Sequence, residues 1–341
     1  MTVIKSSGMT NVTPESDFAY GPQPDCSAID AGPASAPFTS YDASRVEFLV
    51  EFKMGRGQDP FPKILPPHQR LMPLTASARD VIGQITAYAT ELLTSQYCTH
   101  AFTILICHDI ARLIRWDCAG AIVTEPIYYN NDNYLHEFLI RYNDCSRETR
   151  GHDTTVTSPS PEEVQDAQTF PELANETRLL VITIPDGSQR PGPPGSSRYI
   201  IPRPHARPIL PIGRFTRASI AYDVERNKLV LLKDSWWLLI DSITPEGEVY
   251  AKLSNGNVPN VPVCSLACDI GDASGNHRTQ TDKLVGQFPN NDTSHFTPHQ
   301  HYRLVLDTIG QKLEEFPNSR AMVKAVRAAV IGKCHRFCNV F

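Results

Sequence analysis

The chain has 341 residues, 41% of them hydrophobic and 20% charged, which excludes a wholly disordered chain and predicts two domains rather than one. A net charge of -5 gives no global attraction to nucleic acid or to a membrane surface, and no run approaches the ~18 apolar residues of a membrane helix. Nine scattered cysteines argue against a disulfide framework, and MTVIKSSGMTNVTPESDF has no apolar stretch for a signal peptidase, so an intracellular, cytoplasmic or nuclear protein is expected.

Residues 1–40 read as a partly disordered, proline-rich lead that contains Pro24-Asp25. An α/β domain is expected over 41–150. Val46 to Lys53, Phe102 to Cys107 and Ala111 to Trp116 alternate and are β-rich, and Asp117 to Gly120 is a turn that makes 111–125 a hairpin. Ser77 to Tyr97 carries Val81, Ile85, Tyr88, Ala89 and Leu92 at helical spacing, and Asp132 to Asp144 does likewise with Tyr134, Leu135, Phe138 and Leu139. Residues 151–207 are expected to be a linker, because PDGSQRPGPPGSSRYIIPRPHARPILP over 185–211 removes backbone donors and fixes φ.

Residues 208–341 form the second expected domain. Pro211 to Val224 and Lys228 to Lys233, with Glu225-Arg226-Asn227 as a turn, read as three short antiparallel strands. Thr244-Pro245-Glu246 opens a short helix, with Thr244 as cap, and Gly256 can close it. A strand is expected near Val261, another at Tyr302 to Leu306, and a helix from Ser319 to about Ile331 whose apolar face holds Met322, Val323, Val326 and Val330.

Pro24-Asp25, Glu51-x-Lys53 on a strand and Gln84-x-x-x-Tyr88 on the following helix together resemble the PD-(D/E)xK phosphodiesterase superfamily over about residues 20–125. Glu51 and Lys53, two apart on a strand, leave the same face, and Gln84 and Tyr88, four apart, share one helix face. Two carboxylates, Asp25 and Glu51, would hold a Mg²⁺ against a phosphate oxygen while Lys53 neutralises charge or orients water. This sequence departs from the superfamily in lacking an expected helix upstream of its first strands.

Ile212 to Lys233 has the layout of a kinase glycine-rich hairpin followed by the strand that bears the nucleotide lysine. SIAYDVERNKLVLLKDSWW, HYRLVLDTIGQKLEEFPNSRAMVKAVRAAVIG, AFTILICHDIARLIRWDCAGAIVTEP and QITAYATELL resemble the fungal-type protein kinase family, so the resemblance spans about residues 45–332. It implies ATP and Mg²⁺ as cofactors, Lys233 at the α- and β-phosphates, and a glutamate partner on the next helix. Helix phase favours Glu246 over Glu248, because Glu246 shares the face of Val249, Tyr250 and Leu253. The glycine loop is reduced to Gly213-x-Phe215-x-x-Ala218, with Gly213 and Ile220 as its remaining cofactor-binding positions, and Tyr302 to Gly310 resembles the last strand and hinge. A catalytic aspartate and Mg²⁺ ligands should follow the long helix; His335-Arg336-Phe337 has phenylalanine at the base position.

The expected whole is an α+β chain: a nuclease-like α/β amino-terminal domain and a kinase-like N-lobe with an incomplete C-lobe, a truncated family member that does not itself complete phosphotransfer. A pseudokinase-like binding module and a Mg²⁺-dependent nuclease are the alternatives, and a protein partner or substrate is expected rather than nucleic acid. Cys264, Cys268, Cys334, His335 and Cys338 offer a loosely spaced zinc alternative to idle thiols.

Overall fold

A computed structural model describes residues 1–7, 9, 24–30, 41–61, 75–185, 195–202, 208–272, 275–287, 296–310 and 315–339, with side chains of the last segment up to 332. It is a mixed α+β structure in two compact units: Met1–Thr154 with Pro208–Phe215 and Arg278–His299, and Thr155–Arg207 with Thr216–His277 and Gln300–Phe341.

The first unit holds a six-stranded sheet in the order β1 (Thr2–Lys5), β2 (Cys26–Ile29), β3 (Val46–Lys53), β4 (Ala101–Cys107), β5 (Ile110–Asp117) and β6 (Gly120–Val123). Neighbours are antiparallel except β3 and β4, which pair in parallel from Phe48 with Phe102 to Lys53 with Cys107. A parallel pair cannot be closed by a hairpin. The crossover contains α1 (Ala76–Ser95), started by Thr75, whose hydroxyl accepts from Ala78 N at 3.0 Å. Even-numbered β3 residues Phe48 and Val50 pack on one face with Phe138 and Tyr142 of α2 (Tyr134–Asp144), Phe48 and Tyr142 edge to face at 5.2 Å. Odd-numbered Glu51 meets Tyr88 of α1 on the other face, as the two-residue period of a strand requires.

The elements expected over 46–144 form at nearly the expected bounds. The lead differs, because residues 2–5 and 26–29 add two strands to the sheet. Four residues apiece carry too little alternation to register as strands, and only pairing with β3 gives them a partner.

Asp117 does more than open the β5–β6 turn. It is fully buried, and its Oδ1 accepts from Ala119 N at 3.0 Å and Thr281 Oγ1 at 2.7 Å. Its Oδ2 accepts from Arg115 Nη1 at 2.8 Å, Gln280 N at 2.9 Å and Thr281 N at 3.2 Å. These bonds fasten the start of α5 (Thr281–Gly286), a segment distant in sequence, beside β6 within this unit.

The second unit is built on a seven-stranded sheet in the order β12-β15-β11-β10-β9-β8-β7. Its strands are β7 (Val156–Thr157), β8 (Leu180–Pro185), β9 (Ser196–Ile201), β10 (Arg217–Asp223), β11 (Lys228–Leu238), β12 (Cys264–Asp269) and β15 (His299–Leu306). A two-stranded ribbon of β13 (Gly271–Asp272) and β14 (Gly275–Asn276) stands apart from that sheet. The helices are α3 (Pro161–Ala167), α4 (Glu246–Asn255) and α6 (Ser319–Asn339). Residues 151–207 are therefore no simple linker: they supply three strands and α3, which packs through Ala167 on Val181, Ile200 and Tyr222. The proline-dense parts, 186–194 and 203–207, lie outside the described residues.

Two strands, not three, occupy 211–233. β10 begins only at Arg217, because Gly213 (φ 108°) and Phe215 (φ 48°) turn the chain out of extended geometry. β11 continues five residues beyond Lys233, and β12 begins at Cys264 rather than near Val261. The cap of α4 is Pro245 without a side-chain hydrogen bond, so Thr244 does not cap it, while Gly256 does end the helix. The apolar face of α6 is exposed at Met322, Val323, Val326, Val330 and Ile331. Among the described residues, no helix is long and apolar enough to cross a membrane.

Burial alone would raise the Asp117 carboxyl, but the Arg115 charge and the Thr281 and Gln280 hydrogen bonds hold it below the usual aspartate range. Because the folded value lies below the unfolded one, this contribution is complete above about pH 4 and is lost as pH falls through the folded value. Asp117→Ala is expected to cost about 2–4 kcal/mol at neutral pH. Urea denaturation of the full chain at a series of pH values should give a wild-type minus variant difference that shrinks below pH ~4.

Candidate functional site

The residues singled out in the first unit converge. β3 aims Glu51 and Lys53 at α1, one helical turn of which offers Gln84 and Tyr88. Lys53 Nζ donates to Glu51 Oε1 and, at 2.9 Å, to Gln84 Oε1. Gln84 Nε2 donates to Tyr88 OH at 2.7 Å, and Tyr88 OH donates to Glu51 Oε2 at 3.0 Å. The four side chains close a hydrogen-bonded ring around Glu51, which is buried.

Asp25 joins from the neighbouring strand: its Oδ2 accepts from Phe52 N at 2.9 Å. Cys26 pairs with Val50, so the residue before β2 falls beside the end of β3. Burial first, then the Glu51 charge, pushes the Tyr88 phenol well above its ordinary range, and Asp25 adds to the shift. Tyr88 therefore stays a donor to the carboxylate.

Asp25 and Glu51 bring hard oxygen donors from adjacent strands, and that donor type fits a divalent cation such as Mg²⁺. Lys53 and Tyr88 engage both Glu51 oxygens, so an ion on Glu51 competes with the Lys53 pair.

In the second unit Lys233 lies on β11 opposite Ala218 of β10. Its Nζ donates to Glu246 Oε2 at 2.5 Å, so the partner is the glutamate that helix phase selected. Both side chains are about one-quarter exposed, at 26% and 28%, which leaves the pair accessible to a ligand. Ile220 faces Leu231 across the same hairpin. Gly213 does not belong to this hairpin: it falls in the first unit, where its N–H donates to the Cys118 carbonyl at 2.8 Å. β10 takes its other neighbour from β9, in the stretch read as a linker.

Strand alternation gives the two faces of β11 different chemistry. Leu231 joins Tyr302, Leu304 and Tyr250 in a cluster under α4, and Lys233 shares that parity. Asp234 faces the other way and is fully buried, with Oδ2 accepting from Arg303 Nε at 2.7 Å and lying 2.9 Å from His301 Nε2. Arg303, fully buried too, extends Nη1 to Thr155 Oγ1 at 2.6 Å. Burial would raise Asp234, yet the His301 and Arg303 charges hold it far below the carboxylate range. No motif marked this cluster. Its only trace in the sequence is polar residues inside otherwise apolar strands.

A further residue escaped the sequence reading. A methyl group on Gly247 would come within 2.4 Å of both Ala267 Cβ and Tyr302 Oη, and its N–H donates to Tyr302 Oη at 3.1 Å. The helix that carries Glu246 lies directly on the sheet because position 247 has no side chain.

Cys264 and Cys268 donate to the carbonyls of Leu266 and Pro185, each at 3.5 Å, and do not converge as ligands. The side chains of Cys334, His335 and Cys338 lie outside the described residues. No protein-family profile, curated protein or solved structure matches the chain.

Gly247→Ala is expected to lift the start of α4 and to cost about 1–3 kcal/mol through overpacking. Denaturant unfolding should report that loss. Ala251→Gly, on the exposed face of α4, should cost only about 1 kcal/mol by helix propensity.

Proposed function

We propose that the second unit is a nucleotide-binding lobe of the protein kinase type and that the chain is a fungal-type protein kinase family protein. The Lys233–Glu246 ion pair carries the reading. A strand lysine paired to a glutamate at the start of the next helix is the arrangement that orients the lysine for the α- and β-phosphates of ATP. Sheet order adds support: β15 lies next to β11, so Asp307 to Gly310 continues from the strand beside the lysine, as a hinge that meets adenine would. ATP would bring Mg²⁺ with it.

The sequence contains neither a His-Arg-Asp nor an Asp-Phe-Gly triplet. The activity assigned to these residues is therefore nucleotide engagement without phosphotransfer, which includes the pseudokinase-like regulatory role. The expected result is a Mg²⁺-dependent thermal shift by a non-hydrolysable ATP analogue, with affinity falling about tenfold or more in Lys233→Ala. No shift in the wild-type chain rejects nucleotide binding and leaves a protein-binding module. Phosphotransfer abolished by Lys233→Ala would overturn the non-catalytic part.

The ring around Glu51 favours a second reading, for the first unit: a Mg²⁺-dependent phosphodiesterase with Asp25 and Glu51 as metal ligands and Lys53 as the neighbouring cation. Gln84 orients Lys53. Cleavage of a DNA substrate by purified chain should then fall about 100-fold or more in both Asp25→Asn and Glu51→Gln. Cleavage retained in both variants would reject it.

A further inference from the structure

Six strands about 4.8 Å apart span about 24 Å, and a helix about 10 Å wide covers less than half of that face. On the Phe48 face of the first unit's sheet lies α2, 11 residues and about 16 Å long. The helix packs on Ala28, Phe48, Val50 and Ile104 but leaves Phe102 of β4 and Leu113 of β5 half-buried. Residues 124–127 run along the edge of β5: Thr124 N donates to the Leu113 carbonyl at 3.0 Å, and Ala111 and Ile127 exchange N–H···O bonds of 2.8 and 2.9 Å. The result is a cleft of about 680 Å³ lined by Phe102, Leu113, Phe138 and Tyr142 together with residues 124–127. Its volume and apolar lining are those of a small-molecule site. It opens on the face of the sheet opposite the Glu51 ring.

The charged groups at the cleft are unequal in sign. Glu125, Asp132 and Glu137 line it with a single cation, Arg141. Arg141 Nη2 donates to Glu137 Oε2 at 3.1 Å, so those two charges offset each other. Asp132 Oδ2 accepts from Tyr128 N at 3.2 Å, a bond that leaves its negative charge in place. Among the described residues, neither Asp132 nor Glu125 has an ion pair.

The lining adds a second preference of the same sign. Ring centroids of Phe102 and Phe138 lie 5.4 Å apart, and those of Phe138 and Tyr142 lie 5.6 Å apart. Aromatic faces carry negative charge density and attract cations. A carboxylate or phosphate ligand would meet repulsion from Glu125 and Asp132, and a neutral apolar molecule would gain burial alone. An ammonium on an apolar body gains burial, the aromatic faces and the carboxylates together.

We propose that the cleft between α2 and residues 124–127 is a binding site for a small organic cation, with an aromatic or branched apolar body seated on Phe102, Leu113 and Phe138 and its ammonium group held by Glu125 and Asp132. The assignment is independent of the nucleotide and phosphodiester readings, since both of those ligands are anionic.

The test titrates 2-naphthylmethylammonium into the full chain by ligand-observed NMR, beside its neutral and anionic counterparts 2-naphthylmethanol and 2-naphthoate. The ammonium should bind about tenfold more tightly than the alcohol, and the carboxylate more weakly than either. High salt should reduce the ammonium's advantage. Glu125 is exposed, so its substitution leaves the packing intact. Glu125→Gln should cut that advantage about threefold and Glu125→Lys should abolish it, while the alcohol keeps its affinity. Phe138→Ala should weaken the ammonium and the alcohol alike; should that variant unfold, the Glu125 comparison still decides. Absence of binding by all three probes overturns the site. Equal affinity for ammonium and alcohol, or a preference for the carboxylate, overturns the ligand class. An ammonium preference unchanged in both Glu125 variants overturns the placement of the cation in this cleft.

Discussion

The parallel pairing of β3 with β4 is the constraint on which the first unit turns. Antiparallel neighbours can be joined by a tight turn, but parallel ones demand a return path across a face of the sheet, and α1 is part of that path. Once α1 lies there, helix period brings Gln84 and Tyr88 over a single patch of strand, and strand period brings Glu51 and Lys53 up to meet them. The charges are tolerated because they satisfy one another. Glu51 is buried with both oxygens bonded, and without Lys53 and Tyr88 it would be an uncompensated carboxylate under a helix.

The second unit solves a comparable problem with a different device. β15, last of its strands in sequence, lies between β11 and β12, so α4 packs over strands formed both before and after it. Gly247 lets the helix approach, and the approach brings Glu246 to Lys233. On the opposite face of β11 the Asp234–Arg303 pair crosses to β15 inside the core. A buried ion pair of this kind adds little net stability over an apolar pair, but removing one partner strands the other, so it fixes which strands are neighbours.

Much of this was legible in sequence because it depends on short-range periodicity. VEFLVEFK reads as a strand from its own alternation, and Gln84 and Tyr88 share a helix face whatever the helix packs on. Glu246 was separable from Glu248 by phase alone. Misread were segments whose structure comes from partners: TVIK and CSAI, too short to declare themselves, and 151–207, where proline density at one end masked three strands. Gly213 was misplaced for a related reason. Its glycine character reflects a positive φ and a hydrogen bond to Cys118, neither of which requires the phosphate loop that the surrounding wording suggested.

By itself, then, the sequence determined the elements and the faces on which candidate groups stand, since rise and period are properties of the local backbone. Tertiary structure alone decided which faces meet. Asp117 and Thr281 are 164 residues apart, and Glu47 and His152 are 105 apart. Such contacts arise where burial of apolar surface closes long loops and the polar groups caught inside must find partners, and no local pattern records which partners those will be.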